Sequence, residues 1–101
     1  MRVISKARLI EFWNVHPASK HALRTWFEDA SRASWQSPQD IKLRYASASF
    51  VSPNRVVFNI KGNDYRLVVA VAYRFGAVYV KFVGTHRQYD AVNASNVESS
   101  S

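Results

Sequence analysis

At 101 residues and 11.5 kDa the chain has room for one domain around a single hydrophobic core, and at 48% apolar content it is no disordered polyampholyte. It contains no cysteine, which excludes disulfides and thiolate metal sites, and no apolar run approaches the ~18 residues that would span a bilayer. Fourteen Lys and Arg against seven Asp and Glu give a net charge of +7 and a pI near 10.2, spread along the chain, so a folded basic face and a polyanionic partner are expected.

Met1 to Ile4 is short and β-permissive and reads as an edge strand. Charges break every apolar run of the N-terminal segment, which argues against a signal peptide. Ser5 is a good N-cap, and Leu9, Phe12, Trp13 and His16 follow at helical spacing. Pro17 ends that helix or opens the next. Ala22, Trp26, Phe27, Ala30 and Ala33 mark a second amphipathic helix, with Lys20, Arg24, Glu28 and Arg32 on its wet side. Ser37-Pro38-Gln39-Asp40 supplies a cap, a proline at the first helical position and an acid in the first turn, predicting a brief helical turn to about Leu43. Tyr45 to Asn54 is read as a connection. Arg55 to Asp90 then reads as three strands joined by two tight turns, and residues 93–101 as a small, polar, disordered tail after a single domain over 1–92. The expected architecture is α+β, in the order βααβββ, with two helices on one face of a three-stranded antiparallel meander.

The turns set an expected register. Gly62-Asn63 as a two-residue turn pairs Ile60 with Tyr65, Asn59 with Arg66 and Phe58 with Leu67; Phe75-Gly76 pairs Val71 with Val80, Val69 with Phe82 and Arg66 with Thr85. One face then collects Val56, Phe58, Ile60, Tyr65, Leu67, Val69, Val71, Val78, Val80 and Phe82, a core face. The other carries Arg55, Asn59, Lys61, Arg66, Arg74, Tyr79 and Lys81, with Val57, Val68, Ala70, Ala72 and Val83 as a shallow middle that could accept an extended ligand.

On that face Arg66, between Asn59 and Thr85, forms the centre of a compact site for a phosphodiester, because a guanidinium is planar, permanently charged and able to hold a phosphate through two bonds. Arg74 lies eight residues further along, about 26 Å at the rise of a strand, so Arg74 and Lys81 extend a charged track and do not share the phosphate. His86 follows the last strand and carries an imidazole suited to proton transfer near neutrality. Tyr89 could stack a base, bond a phosphate or pack the chain end. Asp64 and Asp90 read as separate single carboxylates, His16 and His21 as structural or surface residues, and the three tryptophans as core. No His, Asp or Glu grouping has metal-ligand spacing, and the chain shows no helix-turn-helix pattern of its own.

The paired motifs GNDYRLV and GTHRQYD, with MRVIS, LIEFW, HPASKHALRTWF, ASW and PQDIK in order before them, resemble the HigB toxins of bacterial type II toxin–antitoxin systems, within the RelE-like superfamily, over about residues 1–92. The resemblance implies a cytoplasmic, ribosome-dependent endoribonuclease that cleaves translated mRNA in the ribosomal A site without metal or other cofactor. The RNA 2′-hydroxyl attacks the adjacent phosphate, leaving a 2′,3′-cyclic phosphate and a 5′-hydroxyl. It also implies a HigA-type antitoxin with a helix-turn-helix domain, through which alone the toxin would reach operator DNA. By the same resemblance Arg66 stabilises the transition state, His86 is general acid or general base, and Tyr89 stacks a base or moves a proton. Asn59, Lys61, Arg74, Lys81, Thr85 and Arg87 are the expected RNA contacts. Some relatives carry a lysine pair where this chain has Val57 and Asn59, which leaves the general base unassigned. A non-catalytic basic module that binds RNA or the ribosome is the competing expectation.

Overall fold

The computed structural model describes residues 1–95 and 97. Strand β1 (Arg2–Ile4) leads into α1 (Lys6–Val15), a 3₁₀ turn over Pro17–Ser19, α2 (Lys20–Arg32) and α3 (Pro38–Arg44). Four further strands follow, β2 (Ser49–Ser52), β3 (Arg55–Ile60), β4 (Tyr65–Ala72) and β5 (Ala77–Thr85), and then a short helix α4 (His86–Asp90). All five strands form one sheet in the order β1-β5-β4-β3-β2, with β1 parallel to β5 and every other pair antiparallel. The α+β class is as expected, and α3 falls where the sequence predicts a brief helical turn to about Leu43, but the βααβββ order does not hold: β2 and α4 are additional, and the sheet is five-stranded and mixed.

Local chemistry explains the helices. Ser5 occupies the N-cap position of α1 in the left-handed region, at φ 76°, and makes no side-chain cap bond. Pro17 opens the 3₁₀ turn that feeds α2, where its missing N–H is no loss. Pro38 stands in the first turn of α3, and Asp40 accepts the Gln36 backbone N–H at 2.9 Å. Helices and sheet bury one core from Leu9, Trp13, Leu23, Trp26, Ala30 and Ile41 on one side and Val56, Phe58, Ile60, Leu67, Val69, Val71, Val78 and Val80 on the other. All three tryptophans are buried, as expected, and Trp26 meets the Phe58 ring edge-on at 5.5 Å. A smaller network joins α2 to the end of α3. The Tyr45 hydroxyl donates to Asp29 at 2.5 Å, and Arg44 Nε lies 2.9 Å from the same oxygen.

The β3–β4 register is the one the turn predicts, with Phe58 opposite Leu67, Asn59 opposite Arg66 and Ile60 opposite Tyr65. Positive φ falls on Lys61 and Gly62, however, and not on Asn63. The β4–β5 register differs. Residues Tyr73–Phe75 form a 3₁₀ turn closed by Gly76 at φ 63°, so Ala72 pairs with Ala77 and Val69 with Val80. A bulge then shifts the pairing, and Val68 faces Phe82, Leu67 faces Val83, Arg66 faces Gly84 and Tyr65 faces Thr85. The extra residue at the bulge is Lys81, and inserting it reverses which side chains point inward beyond it. Val83 therefore packs against the main core, while Phe82 turns to the opposite face, the reverse of the sequence expectation for both.

On that opposite face the expected shallow middle is filled by the chain itself. Ala94 packs over Val57 and Val68, with Phe82, Tyr89 and Val97 around them. The Arg55 guanidinium donates to the Val97 carbonyl at 2.7 Å. Of the expected tail 93–101, Ala94 and Val97 thus pack against the sheet, and 96 and 98–101 are outside the described residues.

Candidate active site

Arg66 stands second in β4, on the sheet face away from the helices, opposite Asn59 on β3 and Gly84 on β5. The hairpin turn before it holds the side chain. Nη2 donates to Asn63 Oδ1 at 2.7 Å, and Nη1 to the carbonyls of Asn63 at 3.1 Å and Tyr65 at 3.3 Å. A guanidinium has five N–H donors, so these three bonds fix its direction and leave two for a ligand. Its carbon lies 5.8 Å from the centroid of the Tyr89 ring, within range of a cation–π contact.

The placement of Tyr89 follows from the end of β5. Thr85 Oγ1 accepts the Gln88 backbone N–H at 3.1 Å, and Gln88 Oε1 accepts the Thr85 backbone N–H at 2.9 Å. This reciprocal capping box turns the strand into α4 and brings Tyr89 back over Phe82, their centroids 6.5 Å apart. Gly84 permits the turn: a Cβ there would stand 2.6 Å from Phe82 Cζ and 2.9 Å from Gln88 Oε1.

His86 opens α4. Its backbone N–H donates to the Asp64 carbonyl at 3.0 Å, which ties the helix to the same β3–β4 turn that holds Arg66. Its Nδ1 lies 3.2 Å from Asp90 Oδ2, one helical turn on. Both side chains are more than a third exposed, so the pair contributes little stability; its effect is to orient the ring, leaving Nε2 for a ligand. Lys61 reaches Asp64 at 3.8 Å on the rim of the turn.

The structure thus gathers Asn59, Lys61, Arg66, His86 and Tyr89 at one corner of the sheet. Thr85 belongs there as a helix cap, and the register places it opposite Tyr65 instead of Arg66. Lys81 sits at the bulge, its Nζ 5.9 Å from the Tyr79 ring. Arg74 lies in the turn beyond the far end of β4, and Arg87 is exposed on α4. A groove of about 620 Å³ between α1, β5 and α4 is lined by residues such as Arg8, Phe12, His16 and Lys81 and by none of Arg66, His86 or Tyr89. Among the described residues no three His, Asp or Glu side chains gather to hold a metal ion. No described helix is long and apolar enough to cross a membrane.

Sequence reasoning missed Asn63, Gly84, Gln88 and Asp90. Two signals were present: Thr85 and Gln88 at capping-box spacing, and His86 and Asp90 four residues apart, which places them on one helical face. The grip of Asn63 on Arg66 depends on the turn conformation and has no sequence signature.

Comparison with curated proteins finds no match. A family model matches residues 19–92, which include both GNDYRLV and GTHRQYD and every element from the second helix to the end of α4. The chain therefore belongs to the HigB toxin family, the RelE-like toxic component of a toxin–antitoxin system.

Proposed function

We propose that the chain is a ribosome-dependent endoribonuclease that cuts translated mRNA through Arg66, His86 and Tyr89. One observation carries this reading: the Arg66 guanidinium, held by Asn63 of the β3–β4 turn, lies 5.8 Å from the Tyr89 ring, and the backbone N–H of His86 ties the start of the same helix to Asp64 of that turn. In this mechanism the 2′-hydroxyl attacks the neighbouring phosphorus and expels the 5′-oxygen of the next nucleotide. Arg66 offers its remaining N–H donors to the phosphoryl oxygens, where negative charge grows in the transition state. His86, its Nδ1 directed to Asp90, gives a proton from Nε2 to the leaving oxygen or takes one from the 2′-hydroxyl. Tyr89 stacks a base beside Arg66, and Asn59 and Lys61 orient the strand. The permanent charge of Arg66 supplies the electrostatic work that a metal would otherwise do, so the proposed reaction takes no cofactor.

Family membership implies an antitoxin partner. In this proposal the partner is a HigA-type protein with a helix-turn-helix domain, through which the pair reaches operator DNA, and the toxin acts in the cytoplasm, where ribosomes translate. Arg66→Ala and His86→Ala are each expected to relieve growth arrest with the fold intact; full toxicity in both would remove the site assignment. Mapping message 5′ ends in translating extract should reveal codon-phased cuts bearing 5′-hydroxyls.

A second reading is favoured by the engagement of Arg66 with Asn63 and Tyr65, which suits a rigid binding contact as well as a catalytic one. Under it the chain blocks translation by binding RNA or the ribosome without cutting. Unchanged message ends beside stalled ribosomes would select it.

A further inference from the structure

At the end of the sheet remote from Arg66, an open cavity of about 470 Å³ lies between the end of α2 and the β4–β5 turn. Arg2 and Arg74 line it together with Ser31, Ser34, Gln36 and Tyr73. Topology brings the two arginines together. β1 lies parallel to β5 with Arg2 opposite Ala77, and the Arg2 backbone N–H donates to the Gly76 carbonyl at 2.7 Å, two residues beyond Arg74.

Charge distinguishes this cavity from the groove beside α1, whose lining includes Glu11, and from the cavity at the end of α2 lined by Asp29. Arg44 is paired with Asp29, Lys61 with Asp64, and Arg66 is held by Asn63. Among the described residues, neither the Arg2 nor the Arg74 side chain has a hydrogen-bond or ion-pair partner, and no carboxylate lines the cavity. Asp40, whose charge reaches Tyr73, stands outside the lining and accepts the Gln36 backbone N–H. Two unpartnered guanidinium groups stand beside three hydroxyls and a carboxamide, with no negative charge in the lining to balance them. A phosphate, with its charge and its several acceptor oxygens, is the complementary ligand.

We propose that Arg2 and Arg74 form a phosphate-binding site, distinct from the Arg66 site, that takes a phosphodiester of an RNA strand. Ala72 lies six positions along β4 from Arg66, about 20 Å at the rise of a strand, so the two sites engage different phosphates. Arg74 therefore anchors RNA at a distance from the point of cutting, with Arg2 as a partner that sequence reading did not identify. The choice of RNA rests on the proposed function; the phosphate chemistry does not.

The test follows the arginine side-chain Nε–H resonances by NMR in two titrations, one with inorganic phosphate and one with a 2′-O-methyl oligoribonucleotide. That probe has no free 2′-hydroxyl and cannot be cut, so the outcome is independent of whether the chain is a nuclease. Arg2 and Arg74 are expected to shift with both probes. The double variant Arg2→Gln with Arg74→Gln should bind the oligonucleotide roughly tenfold more weakly at low salt, with a salt slope flatter by about 1.4 for two lost single-strand contacts. Arg2→Lys with Arg74→Lys keeps the charge, should retain most of the slope, and carries the comparison if the glutamine pair fails to melt cooperatively. A response to inorganic phosphate alone would overturn the assignment of RNA as the ligand. No response of either resonance to either probe, or an unchanged slope in the glutamine pair, overturns the proposal.

Discussion

Gly84→Ala is the most informative single substitution in this chain. The residue is buried, and its backbone lies outside the left-handed region, so alanine meets no conformational penalty; the conflict is one of space. The new methyl would lie 2.6 Å from Phe82 Cζ, 2.9 Å from Phe82 Cε2 and 2.9 Å from Gln88 Oε1, well inside van der Waals contact. The half-buried Phe82 ring packs against the Val57, Val68 and Ala94 cluster, so moving it gives up part of that packing. Gln88 can move, but only by releasing the Thr85 backbone N–H that it caps. Overpacking of this kind costs about 1–3 kcal/mol, and a lost cap about 1 kcal/mol more. At about 4–8 °C per kcal/mol for a domain of this size, the variant should melt at least ~5 °C below the parent.

The consequence extends to function, because the start of α4 positions both His86 and Tyr89. Growth arrest should weaken more than the melting shift alone explains. Gly62→Ala is the control. Gly62 has φ 65° with nothing within 4 Å of an added Cβ, so it incurs about 1 kcal/mol of backbone strain and leaves α4 in place. Urea unfolding and a toxicity assay on both variants decide the matter. If Gly84→Ala unfolds with the parent and arrests growth as well as it does, the packing account of the β5–α4 corner is wrong.

Three other expectations follow from the same geometry. Asp90→Asn should leave the melting temperature within about 1 °C, since the pair is exposed, yet slow message cleavage at least tenfold by releasing the His86 ring; an unchanged rate would remove the orienting role. Ala94→Asp would set a carboxylate over Val57 and Val68 and should destabilise by about 1–3 kcal/mol, read from urea midpoints; no shift would mean that Ala94 does not cover the sheet in solution. For Asp29, burial pushes the carboxyl up, but hydrogen bonds from Tyr45 and Arg44 and the charges of Arg44 and Arg32 outweigh it and hold the group below its ordinary value. A depressed carboxylate adds stability at pH values above its unfolded pKa and loses it as pH falls through the folded one. Tyr45→Phe should therefore reduce stability by about 1 kcal/mol near neutrality and by progressively less in acid; an equal loss at both pH values would show that the hydroxyl does not act through Asp29.

Much of the fold is legible because apolar spacing and turn residues are local signals. Leu9 and Trp13, Trp26 and Ala30, and the alternation from Val56 to Val71 mark elements that the structure contains. The turn around Gly62 fixes the β3–β4 register through chain geometry alone. What escapes is set by length or by distant partners. β2 has four residues between serine- and proline-bearing turns, too few for an alternation to stand out, and it exists because β3 offers an edge. The 3₁₀ turn at Tyr73–Phe75 and the bulge at Lys81 are not encoded by any turn dipeptide. They satisfy packing across two strands at once, placing Val83 inward and Phe82 outward.

That bulge is also why the candidate site was only half legible. Arg66 and Asn59 could be paired from sequence because their hairpin is short and regular. The second side of the site depends on β5, where the shifted register puts Gly84 opposite Arg66 and leaves Thr85 to cap α4. Had Thr85 stood opposite Arg66, its hydroxyl would have lined the site and α4 would have lacked its cap. With glycine there, no side chain rises between Arg66 and the helix, and the Tyr89 ring can approach the guanidinium to 5.8 Å. Inserting one residue at Lys81 thus does what no side chain of the sheet could do: it exchanges a hydroxyl for an open space, and the aromatic ring of α4 stands beside it.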